Sequence, residues 1–322
     1  MDAQMMVADL DGVFPEGFYA TTNFATEVRV GAAWVGVAGI EMDVGIRVVG
    51  ESAEACAMHA VRVGDRIVVG EQGVRVKLPE RAEEGEAFRF MSSGVSTERP
   101  KARLVVEVAE AMRAARGAGG RILFVGGPAI VHSGTAPLLE GLVRDGWIDV
   151  LFAGNALAAH DIEAAMFGTS LGLDLERGTS VAHGHQHHLR AINRVRRAGS
   201  IAEAVKQGLV TRGVMHACVT RSIPFVLAGS IRDDGPLPDV VTDSVRAADA
   251  MRAQVRGVTV AIIVATTLHG IATGNMLPAD VKTFCVDTDA DTVIKLVDRG
   301  TQQAVGIVTD CEYFLGELAR AL

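Results

Sequence analysis

From Ile122 to the carboxyl end, short apolar runs recur at spacings that leave room for a helix between them. They are Ile122–Val125, Ile148–Phe152, Phe225–Ala228, Val258–Val264, Thr283–Val286 and Ala304–Val308. A short, continuous apolar run bounded by glycine or polar residues suits a strand buried on both faces. Strands alternating with helices imply parallel neighbours joined by crossovers. The expected architecture is therefore α/β, a three-layer, mostly parallel sheet covered by helices on both sides. Composition agrees: 49% of residues are hydrophobic but only 5% aromatic, as in sheets packed with valine, alanine and glycine.

The first part of the chain reads differently. Val28, Val30, Trp34, Val35 and Val37 are strand formers, Ile46–Val49 continues the pattern, and Ile67–Val69 and Val74–Val76 follow. A short helical segment is expected at Ala53–Ala60, and Phe18-Tyr19-Ala20-Thr21-Thr22-Asn23 reads as a strand edge. Residues 80–100 are charged and serine-rich, and from Lys101 a helix presents Leu104, Val105, Val108, Ala111 and Met112 on one face. The expected division is a small β-rich domain over 1–95 and an α/β domain over 96–322.

Several function classes fall away at this level. A net charge of -8 without a basic tract argues against a nucleic-acid partner. Val258–Ala265, the most apolar run, is far too short to span a membrane. The start, MDAQMMVADLDG, has no basic region followed by an apolar core, so no leader is expected. Cys56, Cys218, Cys285 and Cys311 are scattered without metal-ligand spacing, which suits reduced thiols in a cytoplasmic protein.

In an open parallel sheet, ligands bind where loops leave the carboxyl ends of the strands. The third run breaks into Gly229-Ser230-Ile231-Arg232-Asp233-Asp234-Gly235-Pro236-Leu237-Pro238, too polar for a simple connection, and the chain reads as helical after Asp239. The first run ends in Gly126-Gly127-Pro128, whose amides suit an anion, with His132 close behind. The G-x-G-x-x-G fingerprint is absent. The second ends in Gly154-Asn155-Ala156, followed by His160-Asp161, where Asn155 also suits a helix cap. The fifth ends in Asp287-Thr288-Asp289, where an acid either grips a ribose diol or caps a helix, and Asp310 follows the sixth. His269 to Pro278 reads as a flexible loop suited to a nucleotide.

His183-Gly184-His185-Gln186-His187-His188 invites a zinc reading, yet no neighbouring cysteine or carboxylate completes a motif, so no metal is expected. A general acid or base from this tract is the stronger reading, because imidazole titrates near neutrality.

Four stretches together resemble one family: Phe18–Asn23, Phe90–Ser96, Ala153–Glu163 and the string AGSIRDDGPLPD over Ala228–Asp239. It is the archaeal-type ornithine cyclodeaminase family, also labelled the LOR/SDH family, whose module forms the C-terminal part of bifunctional arginine dihydrolase/ornithine cyclodeaminases. The resemblance implies a deoxyhypusine-synthase-like NAD-binding fold and an NAD-dependent ammonia-lyase acting on a small amino acid. By position it implies NAD contacts at Asn155, Ala156, Asp233, Thr273, Gly274, Asn275, Met276, Leu277, Asp287 and Asp310. Proton transfer and recognition of the distal ammonium would fall to Asp161 and to His185 or His188, with Asp234 in reserve. A homo-oligomer is expected. Members carry a further module before the Phe-Tyr-Ala-Thr-Thr stretch, which this chain reaches almost at once, and no arginine dihydrolase module is present in it. An NAD-dependent amino-acid or imine oxidoreductase, or a non-catalytic NAD-binding module, stays open as an alternative.

Overall fold

The computed structural model describes residues 1–78, 100–175, 179, 181, 184–233, 235–300 and 304–322. The boundary expected at 95/96, the Phe90–Ser96 stretch, His183 and Asp234 lie outside the described residues.

Residues 1–78 build a seven-stranded, largely antiparallel sheet from β1 (Gln4–Val7), β2 (Thr26–Val30), β3 (Ala33–Ala38), β4 (Gly45–Val49), β5 (Ser52–Cys56), β6 (Arg66–Val69) and β7 (Val74–Val76). The helix expected at Ala53–Ala60 is instead β5 plus one 3-10 turn at Met58–Ala60. Backbone pairing decides the matter: β5 is held between β4 and β3, with Ala53 and Cys56 buried on opposite faces. Phe18–Asn23 is no full strand edge. Phe18 bridges Val69, and the segment then turns inward so that Thr21 and Asn23 are buried.

After Pro100 the chain forms α1 (Lys101–Gly117), β8 (Arg121–Gly126), α2 (Ala129–His132), α3 (Ala136–Arg144), β9 (Val150–Gly154) and α4 (Asn155–Phe167). A small hairpin, β10 (Thr169–Ser170) and β11 (Leu173–Asp174), precedes α5 (His187–Ala198), α6 (Ile201–Lys206) and α7 (Val214–Thr220). Then come β12 (Phe225–Ala228), β13 (Val240–Val241), α8 (Ser244–Val255), β14 (Val258–Val264), α9 (Leu268–Met276), β15 (Lys282–Asp287), α10 (Ala290–Gly300), β16 (Val305–Val308) and α11 (Cys311–Ala321). The helix expected after Asp239 starts only at Ser244, capped by Asp243, because Val240 and Val241 first add an edge strand.

The second sheet runs β13-β12-β9-β8-β14-β15-β16, and every pairing in it is parallel. Successive strand residues point to opposite faces. Ile122 and Phe124 join α1–α7 and α11 in one core, while Leu123 and Val125 join Met251, Met276 and Leu296 of α8–α10 in the other. Three layers follow directly. With β13 set aside the order is that of a doubly wound dinucleotide sheet, and the winding reverses between β8 and β14.

The β-rich domain sits on the α8–α9 side. The Met42 amide donates to the Asn275 carbonyl at 2.9 Å, and the Ala279 amide donates to the Asn23 carbonyl at 2.8 Å. Arg252 pairs with the buried Glu41 at 2.8 Å, and burial still pushes the Glu41 carboxyl up against that attraction. All four cysteines are buried and unpaired, and burial raises the Cys218 and Cys285 thiols to about 12. No helix among the described residues is long and apolar enough to cross a membrane.

Candidate active site

In an open parallel sheet the reversal point, here between the tips of β8 and β14, is where a ligand crevice is expected, and the backbone there is under visible constraint. The Gly127 amide donates to the Val264 carbonyl at 2.9 Å. A Cβ on Gly127 would lie 1.7 Å from the Ala265 carbonyl oxygen, so no other residue fits there. Ala265 itself adopts φ 53°, a left-handed conformation that a residue with a Cβ occupies at a cost of about 1 kcal/mol. Such strain collects at ligand sites.

To one side of the crevice, β15 ends at the half-buried Asp287, whose Oδ1 accepts from the Asp289 amide at 3.0 Å. The adjacent tip carries Thr309, whose amide donates to the Asp287 carbonyl at 2.9 Å. Thr309 is 4% exposed, and its Oγ1 has no hydrogen-bond partner among the described residues. A buried hydroxyl without a partner costs about 1–3 kcal/mol. Asp287 and Thr309 thus stand at neighbouring strand tips joined by a backbone hydrogen bond, one offering a carboxylate and the other a hydroxyl. Asp310 caps α11, accepting from the Tyr313 amide at 2.7 Å.

To the other side, Gly154 closes β9, and a Cβ there would meet the His269 ring at 2.9 Å. Asn155 is the first residue of α4, not its cap. Its Oδ1 accepts from the Leu237 amide at 3.0 Å and so ties the 229–238 loop to the crevice. Asp233 accepts from the Ser230 amide at 2.8 Å and lies near enough to oppose the downward shift that burial imposes on His269. Gly154 and Asp233 thus lie near His269, Asn155 holds the loop that carries Asp233, and Ala156 follows in the first turn of α4.

Thr273 to Leu277 lie at the end of α9, and the buried Thr273 Oγ1 and Asn275 Oδ1, like Thr309 Oγ1, have no hydrogen-bond partner among the described residues. The flexible loop expected there is the second half of α9 and its cap, with Met276 and Leu277 in the core and Thr273 fully buried. At about 1.5 Å per residue, Thr273 stands about 8 Å along the helix from Leu268. Ala265, Thr266 and Thr267 connect β14 to α9. Packing explains the helix: a Cβ on Gly270 would lie 2.6 Å from Leu296 and 2.8 Å from Ile263, so glycine lets α9 approach the sheet.

Asp161 also departs from expectation. It is 1% exposed, and its two oxygens accept from the Val214 and Met215 amides at 2.9 and 2.8 Å. It therefore caps α7. Burial pushes its carboxyl up to about 7 against the pull of those amides.

The neighbour two residues on, Glu163, is the centre that sequence reasoning missed. It is wholly buried and accepts from His160 Nδ1 at 2.8 Å and Thr169 Oγ1 at 2.9 Å. The Leu171 and Gly172 amides donate to it at 3.3 Å. Burial drives the carboxyl up, but these donors outweigh it and hold Glu163 below the usual range. The His132 ring meets His160 with centroids 4.7 Å apart, and His188 lies 5.9 Å from His160. Burial, and then the nearby His160, lower the His132 pKa, with Glu163 opposing them. His188 thus joins the cluster. His185 sits in the 3-10 turn Gly184–Gln186, and its side chain is outside the described residues. Among the described residues no group of three metal-ligating side chains is arranged for an ion.

Two family models cover the chain: "Arginine dihydrolase ArgZ-like, C-terminal, first region" over residues 25–105, and "Arginine dihydrolase ArgZ-like, C-terminal, Rossmann fold" over 106–318. An ornithine cyclodeaminase from Methanothermobacter thermautotrophicus is 51% identical over 317 residues, 98% of this chain and 77% of that protein. The chain belongs to the archaeal-type ornithine cyclodeaminase family. A LOR/SDH protein structure from Methanococcus maripaludis superposes with TM-score 0.95 at 46% identity, covering 100% of this chain and 98% of that one. AgrE, solved as a ternary complex with ornithine and NAD+, matches with TM-score 0.67 at 40% identity over 100% of this chain and 46% of its own. The family is one of enzymes, and its members share the doubly wound sheet on which both flanks of the crevice are built.

Proposed function

We propose that this protein is an NAD-dependent ornithine cyclodeaminase, converting ornithine to proline and ammonia. The observation that carries this reading is adjacency. α2 and α4, which leave the central strands beside the crevice, also carry the His132–His160 contact. Relatives named as ornithine cyclodeaminases, and one solved with ornithine and NAD+, support the choice of substrate and cofactor.

The residues at the crevice fit a dinucleotide. Asp287 and the unsatisfied Thr309 hydroxyl suit a ribose diol. Gly127 approaches the Ala265 backbone closely and presents no side chain there. Asn155 and Asp233 hold the 229–238 loop over the opposite end. Bound there, the nicotinamide supplies reversible hydride acceptance, which makes the α-carbon electrophilic without net oxidation. The protein's own groups handle protons, since both substrate amines must lose one to react and departing ammonia must gain one. Burial holds the imidazole of His132 below its ordinary pKa, and its ring packs against His160 in the same cluster.

An amino-acid or imine oxidoreductase would share the crevice but release NADH. Incubating the protein with ornithine and NAD while following proline, ammonia and NADH separates the two. Equal yields of proline and ammonia without NADH build-up are expected. Steady NADH release overturns the lyase reading, and no turnover of ornithine leaves a binding module.

A further inference from the structure

The hydrogen bonds around Glu163 fix more than its own charge. Thr169 Oγ1 gives its single proton to Glu163, so toward His187 Nδ1, 2.9 Å away, it can only accept. An ionised Glu163 likewise can only accept from His160 Nδ1. Both Nδ1 atoms therefore carry hydrogen, which leaves Nε2 as the atom of each ring that exchanges a proton. One buried carboxylate sets two imidazole tautomers, the first directly and the second through a hydroxyl. His132 is tied by its own Nδ1 to Ser170 Oγ at 2.8 Å, one residue along the same strand, and Phe167 backs the His187 ring at 4.8 Å between centroids.

The geometry points to Glu163 as the positioning residue of a two-base proton relay, with Nε2 of His160 and Nε2 of His187 taking the protons of the two substrate amines. This rests on the cyclodeaminase reading. At neutral pH ornithine enters with two ammonium groups and leaves as zwitterionic proline and ammonium. Two protons are removed and two returned, one to the ring nitrogen and one to the released ammonia, so a pair of bases that are regenerated each turn is the number required. A carboxylate that orients a histidine through Nδ1 also stabilises the imidazolium once the proton arrives.

The test uses the full-length protein. Nitrogen-15 spectra of the histidine rings should report the Nδ1–H tautomer at His160 and His187 without substrate. Glu163→Gln should lower kcat on ornithine by about 100-fold, leave KM within about threefold, and move the acid limb of the pH profile. Thr169→Val should cost about tenfold and release the His187 tautomer, while Thr169→Ser restores both. That pair decides the matter if Glu163→Gln does not fold. Nε2–H tautomers, or a Thr169→Val enzyme equal to Thr169→Ser, overturn the relay. So does an active wild type with an unimpaired Glu163→Gln, which leaves the cyclodeaminase reading standing. A wild type inert toward ornithine overturns that reading and the relay with it.

Discussion

The two flanks of the crevice treat their polar groups in opposite ways. At the β15–β16 tips the buried Thr309 hydroxyl has no partner among the described residues, and its backbone is tied to that of Asp287. On α4, Glu163 is equally hidden but meets four donors. An unsatisfied buried group is a cost the fold carries until a ligand arrives, whereas a saturated one is already at work orienting its neighbours. The difference separates a surface that binds from a framework that positions. It also yields opposite expectations for removing a side chain on each side.

The largest effect is expected where the flanks meet. Gly127→Ala drives a methyl into the Ala265 carbonyl and must part the tips of β8 and β14. Stability should fall by about 1–3 kcal/mol in denaturant titration, and NAD binding should disappear from calorimetry. Normal affinity in this variant breaks the claim that the crevice floor is the binding surface.

Next comes Asp287→Ala, which removes a charge-assisted partner of the diol and should weaken NAD by about 10–100-fold. The free protein should melt as before, because Asp287 accepts only an exposed local amide there.

Asp161→Ala sharpens the contrast from within α4. It strips the cap from α7 and leaves two buried amides unpaired, costing about 1–3 kcal/mol of stability while kcat stays unchanged. Its pH dependence has a definite sign. The folded pKa, about 7, stands above the ordinary 3.8, so the native state binds more protons between those values. This group's contribution therefore weakens the protein as pH rises from 3.8 through about 7. Glu163 and His132 run the other way. Their folded pKa values are depressed, so the stability they confer is present above their ordinary ranges and lost as pH falls through the folded values. Comparing wild type with Asp161→Ala across pH 4–8 by thermal melting should show the wild type's advantage narrowing toward high pH.

The smallest effect belongs to Thr309→Val. Removing an unsatisfied hydroxyl should leave the free protein equally or slightly more stable, yet weaken NAD by roughly fivefold, the worth of one neutral hydrogen bond. Lowered stability with unchanged affinity would mean that the hydroxyl has a partner within the protein.

Much of this architecture is legible in the residues. Phe225–Ala228 and Val258–Val264 are strands with the expected bounds, the first ending at Gly229 and the second where Ala265 turns to a left-handed conformation. The second strand begins at Val150, two residues beyond the apolar Ile148, because Asp149 turns to accept the Ile122 amide. β13 is only two residues long and too brief for any period to show. α9 defied its local signals, since Gly, Thr and Asn are poor helix formers, and close packing against β14 and α10 overrode them. At the site, Asp287 stands out as an acid after an apolar run. Glu163 does not, because a glutamate three residues after a histidine is ordinary on a helix. Only the fold-back of the β10–β11 hairpin supplies Thr169, Leu171 and Gly172 to it. The signal available was the His160–Glu163 spacing beside an isolated His132.

Calorimetric titration of NAD into the wild type, Asp287→Ala and Glu163→Gln tests the division of labour most directly. The account predicts that Asp287→Ala loses at least about tenfold in affinity while Glu163→Gln binds NAD as the wild type does. The reverse order, with NAD lost on changing Glu163 and retained on changing Asp287, would contradict it.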